Sequence, residues 1–107
     1  MITNLDETVV FIIANAGDSR SLSIEAVNYA KEGDFTKASE YLKMSEEALQ
    51  KAHNAHTRLL AHESKEGIEI TLLVVHASNH LSIAEVFKHF SEELVELHER
   101  NGHKCIT

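Results

Sequence analysis

Ala30-Lys31-Glu32-Gly33-Asp34-Phe35-Thr36-Lys37-Ala38-Ser39-Glu40-Tyr41-Leu42 holds a helix end, a turn and a helix start in one short run. Glycine enters the left-handed conformation that ends a helix without a Cβ penalty. An aspartate just after it can offer its carboxylate to the unpaired amides of the next first turn. Gly33-Asp34 therefore reads as a helix stop followed by an N-cap. Downstream, Phe35, Ala38, Tyr41, Leu42, Ser45, Leu49, Ala52, Ala55, His56 and Leu59 recur at three and four residues. That spacing gathers side chains on one face of a helix. Lys43, Glu46, Glu47, Gln50 and Lys51 fall mostly on the other faces. An amphipathic helix is predicted from about 35 to 62.

Upstream of the turn, Asn4 or Asp6 can cap a first helix over about 5–31. It carries Val9-Val10-Phe11-Ile12-Ile13, and its pattern resumes at Leu22, Ala26, Tyr29 and Ala30. Gly17, within Asn15-Ala16-Gly17-Asp18-Ser19-Arg20, interrupts it. A helix-interior glycine costs about 1 kcal/mol, so it is expected to mark a bend or a close packing point. Downstream, Ser64-Lys65-Glu66-Gly67 reads as the next turn, and a third helix is predicted from about 69 to 100, ending before Asn101-Gly102. Ile68-Glu69-Ile70-Thr71-Leu72 favours sheet locally, but it has no partner strand and is assigned to the helix start. The 107 residues contain no proline, so few breaks are enforced. The expected fold is all-α: one antiparallel three-helix bundle spanning 1–107 as a single domain.

Composition narrows the function. A formal net charge of −7 argues against a nucleic-acid backbone or an anionic membrane as partner and fits basic or apolar protein surfaces. No apolar run reaches the roughly 18 residues of a membrane span, so no membrane insertion is expected. The single Cys105 excludes an internal disulfide and points to a reducing compartment, the cytoplasm. The acidic start, Met1 to Glu7, lacks a signal peptide's basic residues.

Leu72-Leu73-Val74-Val75-His76-Ala77-Ser78-Asn79-His80-Leu81 carries the chemistry. His76 and His80 are one helical step of four apart, so both imidazoles point the same way. Positions 73, 76, 80, 83, 87, 90, 94 and 97 read as the core seam of the third helix, with the histidines at its N-terminal end. A second apolar stripe at 72, 75, 79 and 86 is more than one bundle can cover and is expected to meet other subunits. Within it, Asn79 resembles the polar residue that sets register in a coiled coil. The pair admits three readings: core histidines satisfied by local partners, metal ligands, or a nucleophile with its support. Residue 77 is Ala, so the zinc-protease pattern is absent. Most of the other six histidines read as bystanders on solvated faces, and His103 with Cys105 supplies only two soft ligands near the chain end. The turn at Gly33 is similar to a tetratricopeptide hairpin, but it occurs once, so no repeat array is expected.

Three segments together resemble one family, the enzyme IIA component of the lactose/cellobiose (chitobiose) class of the bacterial sugar phosphotransferase system. They are Asn15-Ala16-Gly17-Asp18-Ser19-Arg20-Ser21, Ala30-Lys31-Glu32-Gly33-Asp34-Phe35, and Leu72 through Leu81. The resemblance spans about residues 5 to 99. It implies a trimer of three-helix bundles that takes a phosphoryl group from phospho-HPr and passes it to a cysteine of the IIB component during disaccharide uptake. Cellobiose, chitobiose or another β-glucoside is the expected sugar. His76 falls on the family's phosphorylated histidine and His80 on its supporting one. Ser78 is 200° from His76 around the helix, so help from it is expected only across a subunit boundary.

The family's motif usually reads His-Ala-Gln-Asp-His-Leu-Met, and here Ser78, Asn79 and Ser82 replace the Gln, the Asp and the Met. The resemblance places that Asp on the trimer axis, where it binds a divalent ion. Asn79 is neutral and a poorer ligand for a hard cation. The trimer is therefore expected without an axial metal, and no cofactor is expected.

Overall fold

The computed structural model describes residues 5–67 and 70–104. Its elements are three helices, α1 (Leu5–Lys31), α2 (Phe35–Glu66) and α3 (Leu72–Lys104), with no strand among the described residues. They run up, down and up, in a rod 62 Å long and 18 by 16 Å across.

The α1–α2 turn is built as its sequence predicts. Gly33 has φ +84°. Its amide donates to Ala30 O at 3.0 Å, and that of Asp34 donates to Tyr29 O at 2.9 Å. These paired bonds satisfy the last carbonyls of α1. Asp34 Oδ1 then accepts from Lys37 N at 3.1 Å and caps α2. The Asn4 cap lies outside the described residues, and Asp6 and Glu7 occupy the first turn of α1.

Three boundaries differ from expectation. α2 continues to Glu66 rather than about 62, because Glu63, Ser64, Lys65 and Glu66 include no helix breaker. Gly67, at φ +73°, closes the helix with its amide on Glu63 O at 2.9 Å. α3 begins at Leu72 rather than about 69; Ile68 and Glu69 lie outside the described residues. Thr71 caps it, accepting Val74 N on Oγ1 at 3.3 Å and Val75 N on its carbonyl at 3.2 Å. α3 also runs through Asn101-Gly102 to Lys104, where Gly102 lies beside the Phe35 ring. Packing there outweighs the low helix propensity of glycine. α1 is unbroken through Gly17, and a Cβ there would meet nothing within 4 Å. Gly17 is therefore not a close packing point within the bundle.

The α2 stripe is confirmed, every one of its members being buried or half-buried. The α3 seam is corrected. The face of α3 turned to the bundle carries Val74, Ala77, Leu81, Ala84, Ser91 and Val95. Leu73, Ile83, Phe87, Phe90, Leu94 and Leu97, expected in the core, are exposed, Phe90 by 60 %. Close helix approach favours small side chains. On α1 the buried line is Val9, Ile12, Ala16, Ser19, Ser23, Ala26 and Ala30. Large apolar residues crowd out of so thin a bundle and stand on its outside.

The buried apolar residues form two clusters. One joins Val9, Ile12 and Ala16 to Ala52, Ala55 and Leu59 and to Val74, Ala77 and Leu81. The other gathers Ala26, Ala30, Ala38 and Val95. Between α1 and α2 lies a fully buried serine triad. Ser45 Oγ donates to Ser19 O at 2.8 Å and accepts from Ser19 Oγ at 2.9 Å and Ser23 Oγ at 2.7 Å. A hydroxyl has one proton and two lone pairs, so this arrangement satisfies all three side chains. Beside the apolar cluster they share, α2 and α3 also meet through polar groups. Lys88 Nζ pairs with Glu46 at 2.6 Å and also with Glu92, and His53 Nδ1 lies 3.6 Å from Glu85 Oε1.

Candidate active site

The Thr71 cap starts α3, and His76 and His80 follow within its first turns. Val74, Ala77 and Leu81 anchor the helix to the bundle. The two imidazoles therefore project sideways, between the exposed apolar stripe and the α1 edge. His76 is exposed and His80 half-buried. They are not core histidines, because the seam they follow is itself on the outside. Their Nε2 atoms are 3.0 Å apart, with ring centroids separated by 4.4 Å and planes at 89°. One ring donates and the other accepts.

Burial, the neighbouring His76 and the Arg20 guanidinium together hold His80 below the ordinary histidine value, in that order of effect. His80 is thus neutral near pH 7 and can carry its single proton on Nε2. In that tautomer it donates to the lone pair of His76 Nε2, which stays masked until His80 turns away. The pair supplies two nitrogen ligands, and among the described residues no group of three His, Cys, Asp or Glu is placed to hold a metal ion.

The other candidates separate from this pair. Ser78 turns the opposite way, onto α2, where its Oγ is 2.9 Å from His56 Nε2. It therefore has a partner within its own chain, which the sequence reading did not foresee. Asn79 and Ser82 are exposed on α3. His62 pairs with Glu66 at 3.6 Å along α2, and His89 packs edge-on against Phe90. The His103–Cys105 pairing lies outside the described residues. Two contacts were missed, that of His56 with Ser78 and the effect of the Arg20 charge on His80. His56 was visible only as a stripe member. Arg20 lay within a matched phrase, but nothing in the spacing shows that its charge reaches His80.

A rod of helices thus carries a hydrogen-bonded imidazole pair on its flank. Residues 7–99 match the family described as "PTS system, Lactose/Cellobiose specific IIA subunit". The N,N'-diacetylchitobiose-specific EIIA component of Escherichia coli K12 is 38 % identical over 97 residues, covering 90 % of this chain and 84 % of that protein. The crystal structure of a cellobiose-specific enzyme IIA from Bacillus anthracis superposes with a TM-score of 0.91 at 32 % identity, covering 97 % of this chain and 96 % of the other. The IIA(chitobiose) of Escherichia coli, solved in solution as a complex with HPr, gives 0.84 at 36 % identity, covering 94 % and 99 %. The chain belongs to the lactose/cellobiose-specific IIA subunits of the phosphotransferase system, and it is a phosphotransferase component. Among the described residues, no helix is long and apolar enough to cross a membrane.

Proposed function

We propose that residues 1–107 form one IIA domain in which His76 takes a phosphoryl group from the phosphohistidine of HPr and gives it to a cysteine of a IIB component. The sugar then phosphorylated is a β-linked disaccharide of the cellobiose or chitobiose type. The observation that carries this reading is the exposed His76 ring, whose Nε2 lies 3.0 Å from that of a neutral His80. The likeness to the IIA(chitobiose) of the HPr complex supports the donor. The chitobiose- and cellobiose-specific relatives support the sugar class.

Transfer needs an unprotonated nitrogen in line with phosphorus and donors for the equatorial oxygens. His76 Nε2 supplies the lone pair. The bond from phosphorus to the donor imidazole breaks as the bond to Nε2 forms, and the electron pair stays on the donor ring. His80 Nε2–H, released from His76, turns to a phosphoryl oxygen. His80 is therefore a supporting residue and not the acceptor.

The working assembly in this reading is a homotrimer, with the exposed apolar stripe of α3 packed around a three-fold axis. Leu72, Val86 and Phe90 are 85 %, 54 % and 60 % exposed in the single chain, an unusual load of apolar surface for a monomer. Asn79 would stand near that axis. Three neutral amides can bond to one another without a cation, so the reading includes no axial divalent ion and no cofactor.

The test is incubation with phosphoenolpyruvate, enzyme I and HPr, followed by intact mass. Uptake of one acid-labile, base-stable phosphate is expected, with none for His76→Ala and slower uptake for His80→Ala. Full uptake by His76→Ala would remove the assignment. A wild type that takes up no phosphate would mark the chain as a non-catalytic relative.

A further inference from the structure

We propose that Arg20 is a phosphoryl-binding residue, its α1 guanidinium donating to the phosphoryl oxygens once His76 carries the group. The proposal rests on the acceptor role given to His76 above.

Register places Arg20 at the site. α1 and α3 run side by side in the same direction. Ala16 shares a cluster with Ala77 and Leu81. Two turns further along α1, Ile24 and Val27 line a groove of about 300 Å³ with Phe87 and Ser91 of α3. Arg20 lies four residues after Ala16 and four before Ile24, on the side of α1 that faces α3. His80 lies nearly two turns before Val86 and Phe87, the first α3 residues of that groove, and next to Leu81, which shares the Ala16 cluster. Arg20 and His80 therefore face one another across the α1–α3 edge at the head of the groove, and the Arg20 charge is felt at the His80 ring.

The state of the Arg20 charge is the second observation. Among the described residues only two cationic side chains are half-buried, Lys88 and Arg20. Lys88 has two carboxylates, Glu46 and Glu92. Arg20 has no carboxylate and no hydrogen-bond partner among the described residues, in a chain of net charge −7. A partly desolvated guanidinium without an anion is costly unless an anion arrives. The phosphoryl group on His76 brings that anion to the adjacent turn of α3. Its oxygens match the planar fork of a guanidinium. During transfer, charge spreads over the three equatorial oxygens. A fixed cation there stabilises both the transition state and the phosphorylated form.

The test uses the full chain with phospho-HPr, comparing wild type, Arg20→Gln, Arg20→Lys and His76→Ala. Two readouts would not move for a residue that only supports the fold or only docks HPr. They are the equilibrium ratio of phosphorylated chain to phospho-HPr, and the titration midpoint of the phosphoryl group by phosphorus NMR. Arg20→Gln should lower the ratio by about tenfold or more, the worth of a charge-assisted hydrogen bond. It should also raise the midpoint, because a nearby cation favours the dianion. Arg20→Lys should recover part of both. An unchanged ratio and midpoint in Arg20→Gln would overturn the proposal, even if uptake slowed. Phosphate uptake by His76→Ala would instead overturn the acceptor reading beneath it.

Discussion

Ser45 has one proton to give and accepts two, and its partners sit on the neighbouring helix in full burial. Removing its hydroxyl strands the Ser19 and Ser23 groups at once. Ser45→Ala should cost about 1–3 kcal/mol in urea unfolding, whereas the exposed Ser39→Ala should stay within about 0.5 kcal/mol. Equal effects would show that the triad carries no stability. His80 provides a second residue-scale prediction. Its imidazole should titrate by NMR below the ordinary value of about 6.5, because burial, His76 and Arg20 all disfavour its charge. The sign for stability follows. The unfolded chain takes up the proton before the folded one, so the contribution of His80 is present above the unfolded value and is lost as pH falls through the folded one. A midpoint at or above 6.5 would contradict the geometry. Both residues were partly legible in advance. Ser45 lay on the α2 stripe and His80 on its own helix, but Ser19, Ser23 and Arg20 become partners only when α1 is set against its neighbours.

At the scale of the element, two glycines with opposite duties make a paired prediction. Gly33, at φ +84°, ends α1 in a conformation that L-residues resist. Gly33→Ala should destabilise the protein by about 1–2 kcal/mol. Gly17 lies within continuous helix, with open space where a Cβ would stand. Gly17→Ala should stabilise by about 0.5–1 kcal/mol, the helix-propensity gain. Thermal melting of both variants checks the pair, and destabilisation by Gly17→Ala would mean that another chain packs against that point. The Gly33-Asp34 turn was readable because cap chemistry is local. The end of α2 was not, since Ser64 to Glu66 is compatible with both turn and helix and only Gly67 ends it.

At the scale of the whole molecule, the proposed trimer and its unmetallated axis can be tested together. Sedimentation equilibrium should give about three times the chain mass of 12.0 kDa, unchanged by chelator. Phe90→Asp puts a charge into the proposed interface and should yield monomers of normal helicity. Asn79→Asp should make the trimer depend on a divalent cation, because three converging carboxylates repel without one and form hard-oxygen ligands with one. Without metal, that variant should dissociate at neutral pH and recover at acid pH, where the carboxylates are protonated. Chelator-driven dissociation of the wild type would contradict the role given to Asn79.

The sequence alone determined what is local or periodic: three helices, the cap at Asp34, the α2 stripe and the side-by-side histidines. Caps depend on neighbours in the chain, and stripes follow from 3.6 residues per turn. Tertiary structure decided which apolar stripe of α3 is the core. Leucine and phenylalanine at positions 73 to 97 outweigh Ala77, Ala84 and Ser91 in any reading of hydrophobicity. A thin bundle nonetheless brings its helices together on the small side chains and leaves the large ones outside. That reversal moves His76 from a seam to an exposed flank, turns Ser78 onto His56, and sets Arg20 across from His80. None of these juxtapositions exists until the rotation of each helix about its own axis is set by packing.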